Sequence, residues 1–81
     1  MVKTGLEVDF FLGQGEVAIE IKGTQRVDKN DLKGLRAFVE EYRPREAMVV
    51  CNEKHVRKLV EIRILPYRQF IHDLWNGLII N

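Results

Sequence analysis

The chain has 81 residues, of which 46% are hydrophobic and 31% charged, with a formal net charge of +1. That length holds one domain, that apolar fraction excludes a disordered chain, and that charge balance gives no overall basic field of the kind that marks a nucleic-acid-binding domain. The single cysteine, Cys51, excludes an internal disulfide and fits a reducing compartment.

Residues 5–12 and 16–22 read as two strands. Leu6, Val8 and Phe10 alternate with Glu7, Asp9 and Phe11, and Val17, Ile19 and Ile21 alternate with Ala18, Glu20 and Lys22. That is the two-residue period of extended chain. The intervening "LGQG" supplies the backbone freedom of a tight turn, so the pair is an antiparallel hairpin. Asp28 is placed to cap a helix from Lys29 to about Tyr42, with Asp31 adding negative charge in its first turn. Leu32, Leu35, Phe38, Val39 and Tyr42 fall at helical spacing along it. Pro44 stops the helix and pushes Arg43 out of helical angles. "EAMVVC", residues 46–51, is a short buried strand, and strand, helix, strand in succession predicts a crossover with parallel pairing.

Residues 53–59 suggest a helical turn or two. "EIRIL" then reads as a further strand with Ile62 and Ile64 on one face. Pro66 opens a second helix with an apolar stripe of Phe70, Ile71, Leu74 and Trp75, and Gly77 ends it. The fold class expected is α/β (α+β): a mixed sheet with an N-terminal antiparallel hairpin, a crossover helix, a parallel strand and a C-terminal helix. The first residues carry no signal-like apolar stretch, and no run approaches the ~18 apolar residues that span a bilayer. A cytoplasmic protein without a membrane partner is the expectation.

The hairpin carries more charge than a half-buried ribbon needs. Facing residues of an antiparallel pair have numbers with a constant sum. An odd sum, 27 or 29, gathers Glu7, Asp9, Glu20 and Lys22 on one face, unless a bulge intervenes. An even sum would scatter them through the core, which the hydrophobic pattern forbids. Two carboxylates held that close repel each other, and a hard divalent ion such as Mg²⁺ relieves the strain while keeping several waters. Lys22, two residues after Glu20, is then placed to orient water or offset charge at a phosphate. A solvated ladder with Lys22 paired to Glu7 accounts for the same residues without chemistry.

"EVDF", a glycine turn and "IEIKG" together resemble the signature of the PD-(D/E)xK nuclease superfamily, the restriction-endonuclease-like fold, with Glu7-Val8 standing where many members have a proline before the Asp. The resemblance implies Asp9 and Glu20 as metal ligands, joined by the carbonyl of Ile21, and Lys22 as the residue assisting the nucleophile. It implies Mg²⁺ or Mn²⁺ as cofactor and DNA as substrate. "DLKGLRAFVEEY" and "ILPYRQFIHDLWNGLI" resemble the nuclease-like C-terminal domain of a family of prokaryotic ATPases. On that likeness residues 1–81 form a single, truncated restriction-endonuclease-like core lacking its N-terminal helix and strand. No G-x-x-x-x-G-K-[ST] segment is present, so no ATP site is expected in this chain. The function expected is Mg²⁺-dependent phosphodiester hydrolysis. The competing expectation is a non-catalytic interaction, dimerisation or nucleic-acid-binding module that keeps the fold.

Arg26, followed by Lys29, Lys33 and Arg36 along the first helix, forms a basic stripe suited to phosphates. A solvated face with Arg36 paired to Glu40 explains it equally. His55 and His72 lack partners at ligand spacing, so no zinc site is expected. Phe70 and Trp75 are expected in the core. The C-terminal helix and the "LII" after it are more apolar than so small a sheet needs, which predicts cover from a second copy or from the missing ATPase portion.

Overall fold

The computed structural model describes residues 8–13 and 16–79. Five strands and two α-helices follow in the order β1 (Phe10–Leu12), β2 (Val17–Ile21), α1 (Lys33–Tyr42), β3 (Glu46–Cys51), β4 (Arg57–Leu59), β5 (Ile62–Pro66) and α2 (Tyr67–Trp75). The strands form one mixed sheet in the order β1-β2-β3-β5-β4. β1 pairs antiparallel with β2, while β2, β3 and β5 run parallel and β4 returns antiparallel to β5. The expected α+β architecture, with its hairpin, crossover helix, parallel strand and terminal helix, is the one observed.

Side-chain alternation divides the core into two layers. Ala18, Ala47, Val49, Cys51, Ile62 and Ile64 point to one face, where Leu35 and Phe38 of α1 and Leu32 just before it cover them. Val17, Ile19, Met48, Val50 and Leu65 point to the other, under Phe70 of α2 and Ile79. β2, β3 and β5 are apolar on both faces because both are covered.

Four expectations need correction. The first helix is not continuous from Lys29: Lys29–Leu32 is a 3₁₀ turn, and the α-helix begins at Lys33. Its cap is as expected and goes further, since Asp28 accepts from the Asp31 N–H and Asp31 accepts from the Asp28 N–H, a capping box. Residues 53–59 contain no helix; Arg57–Leu59 is a strand. It joins β5 through Val60 and Glu61, both at positive φ, the two-residue loop of a type I′ hairpin. Among the described residues the hairpin strands are shorter than their apolar pattern, with Val8 and Asp9 preceding β1 and Lys22 following β2, while residues 5–7 lie outside the described part. Val8 joins Phe11 on the α1 side instead of sharing a face with Phe10, which is half exposed, and Phe11 packs on Phe38 edge to face at 4.8 Å. Trp75 is 89% exposed instead of lying in the core.

Candidate functional site

The register of β1 on β2 follows the sum of 29, with Phe10 opposite Ile19 and Leu12 opposite Val17. A bulge does intervene. The Asp9 N–H donates to the Ile19 carbonyl at 3.0 Å, although Ile19 is already paired with Phe10. Two residues of one strand thus oppose one of the other. The extra residue explains why Val8 and Phe11, three apart, both pack against the α1 layer. It also redirects Asp9, whose Oδ2 accepts from the Ile21 N–H at 2.7 Å. That N–H belongs to the peptide joining Glu20 to Ile21, so the Asp9 carboxylate is fixed at the backbone of the Glu-x-Lys segment.

Glu20 is buried, at 3% exposure, and its Oε2 lies 3.1 Å from Lys22 Nζ. The β2 main chain there is held by β3, the Lys22 N–H donating to the Val50 carbonyl at 2.9 Å. The side chain of Ile21 is about half exposed on the opposite face. The Asp9 carboxylate is therefore held at the main chain that carries Glu20 and Lys22, at the end of β2. Glu7 lies outside the described residues. Two carboxylates and a nearby carbonyl are hard oxygen donors of the kind Mg²⁺ or Mn²⁺ takes, with water completing the shell. No group of three or more His, Cys, Asp or Glu side chains comes together among the described residues, so a metal here would rest on two carboxylates.

The basic residues are placed less coherently. Arg26, Lys29, Lys33 and Arg36 are all exposed. Lys33 and Arg36 remain neighbours on α1. Lys29 belongs to the 3₁₀ turn, so it does not share their helical phase. Arg26 sits in a small turn in which its N–H donates to Thr24 Oγ1 at 3.2 Å.

Two features escaped the sequence reading. Glu53 and Arg57 form a bidentate pair, with Arg57 Nε donating to Oε1 and Nη2 to Oε2, each at 2.8 Å. The pair grips one residue of a distant loop: the Val27 N–H donates to Glu53 Oε2 at 2.6 Å, and the Val27 carbonyl accepts from Arg57 Nη2. The hydrogen bond from Arg57, reinforced by the Val27 N–H and opposed by burial, lowers the Glu53 pKa to about 2. The second feature is a cleft of about 740 Å³ at the C-terminal ends of β3 and β5, bordered by Lys54, His55, Tyr67 and Arg68. None of Asp9, Glu20 and Lys22 lines it. Cys51 at its rim is buried, and burial raises its pKa. Its thiol donates to the Leu65 carbonyl, consistent with a structural cysteine.

No helix among the described residues is long and apolar enough to cross a membrane. Comparison with curated proteins and with solved structures gives no match. A family model described as a domain of unknown function, DUF4143, matches residues 2–70, most of the chain. The chain therefore belongs to the DUF4143 family.

Proposed function

We propose that the β1–β2 hairpin is a divalent-metal site of the nuclease-superfamily kind, and that the domain acts in Mg²⁺- or Mn²⁺-dependent hydrolysis of a phosphodiester, with DNA as the substrate. The observation that carries this reading is the Asp9 carboxylate bonded to the Ile21 N–H, beside Glu20 and its partner Lys22. In this reading Asp9, Glu20 and the Ile21 carbonyl hold the ion, which would polarise a phosphoryl oxygen and lower the pKa of bound water. Lys22, released from Glu20, offsets charge on the phosphate oxygens. Arg26, Lys33 and Arg36, with Lys29 from the preceding turn, supply contacts to the backbone of the nucleic acid that are independent of sequence. The family is known from ATPase-associated contexts, which supports an ATPase module as the natural neighbour of this domain.

A second reading has its own observation. Glu20 is buried and already ion-paired, as it would be in a module that keeps the hairpin for structure alone. Titration with Mg²⁺ or Mn²⁺, followed by backbone amide shifts, separates the two. The metal site predicts shifts confined to residues 8–10 and 20–22 at millimolar ion, and silence there favours the structural module. A plasmid-nicking assay then tests hydrolysis: activity that disappears in Asp9→Asn supports the proposal, and activity that survives it belongs to another site.

A further inference from the structure

The second helix turns most of its apolar residues away from the sheet. Phe70 and Asp73 are its buried residues, whereas Tyr67, Ile71, Leu74 and Trp75, with Leu78 just beyond the helix end, are exposed. Tyr67, Ile71 and Leu74 are spaced four and three apart along the helix. That is the seam by which one helix packs along another. Trp75 flanks the seam at 89% exposure. On the same side of the sheet, Phe10 and Ile21 are about half exposed, although Val17 and Ile19 between them lie buried under Phe70 and Ile79.

We propose that this face is a homodimer interface, in which α2 lies antiparallel against α2 of a second copy across a two-fold axis. The first argument is area. At ordinary residue sizes the exposed fractions amount to about 600 Å² for the helix stripe, the upper end of the largest patch found on a typical monomer. Two copies of the stripe together bring about 1,200 Å², the lower end of a standard stable interface. The second argument is self-complementarity, which a two-fold requires. Antiparallel pairing sets Ile71 against the partner's Leu74 and brings Tyr67 to the end of the partner's helix, where Leu78 follows the turn. The third is charge. Arg68 flanks the start of the seam and, in this arrangement, meets the carbonyl end of the opposing helix and the face of the partner's Trp75. This association is independent of any chemistry at the hairpin.

Sedimentation velocity on the intact chain, over a concentration series reaching hundreds of micromolar, tests the proposal. The expected result is a shift from the 9.5 kDa chain mass to twice that value. Trp75→Glu and Leu78→Asp should each weaken association at least tenfold with an unchanged far-UV spectrum. Arg68→Glu, which removes no apolar contact from the monomer, should weaken it too and decides the matter if Trp75→Glu loses its helical signal. Mixing Ile71→Cys with Leu74→Cys chains should give a cross-linked heterodimer in better yield than either variant alone. A monomer at every concentration, a dimer indifferent to these substitutions, or growth past the dimer would each overturn the proposal.

Discussion

The Glu53 carboxyl is held to about 2, against an ordinary 4.5, first by its hydrogen bond from Arg57. An unfolded chain takes up a proton below pH 4.5 that the folded chain refuses. The stability contributed by Glu53 is therefore complete above 4.5 and drains away as the pH falls toward 2. Thermal melts across that window should show a falling Tm, and the part of the fall due to Glu53 should vanish in Glu53→Gln. At neutral pH, Arg57→Ala strands a largely buried carboxylate and should cost about 3 kcal/mol in chemical denaturation. The turn at Val60 and Glu61 offers the opposite change. A β-branched residue at φ 51° is strained. Replacing the pair by Asn-Gly should raise stability by about 1 kcal/mol, read as a higher denaturant midpoint at unchanged m-value. Sequence made the Asp28 cap legible because its bond to the Asp31 N–H closes within three residues. The Glu53–Arg57 clamp was hidden because it grips Val27, which is far away along the chain. The spacing of four between its charged partners also imitates a helix that is not there.

Elements whose signal is local came through from the residue pattern. β2, β3 and β5 follow runs of β-branched residues, and α2 starts after Pro66 and stops at Gly77. The stop is a Schellman motif: the Leu78 N–H donates to the Asp73 carbonyl at 2.8 Å and the Gly77 N–H to the Leu74 carbonyl at 3.2 Å, with Gly77 at φ 71°. Gly77→Ala should cost about 1 kcal/mol, because a Cβ is unfavourable in that left-handed geometry. What failed was decided across elements. The period of two in β1 is broken by a bulge that only the pairing with β2 reveals, and with it went the expected facing of Val8. α2 has a helical stripe, but the sheet accepts Phe70 from it and leaves Trp75 outside. At the candidate site the register arithmetic put Glu20 and Lys22 on one face, where they pair. The redirection of the Asp9 carboxylate to the Ile21 N–H was not legible, because it follows from the bulge.

At the scale of the molecule, stability rests on two thin apolar layers that share one sheet. The α1 layer carries an aromatic cluster, Phe11 meeting Phe38 and Tyr42 edge-on and those two rings tilted together at 4.5 Å. Phe38→Ala should remove about 3–5 kcal/mol and bring a chain this small close to unfolding at room temperature, as a urea titration would show. The sheet has a further property in its outline. Its outermost members, β1 and β4, are its shortest, three residues each, and one of them carries the bulge. A stray extended peptide arriving at either border finds few open amides to zip onto, and those of β1 are skewed out of line. Lateral fibre growth is discouraged at both margins, so encounters between copies are steered toward side-chain chemistry on the flanks.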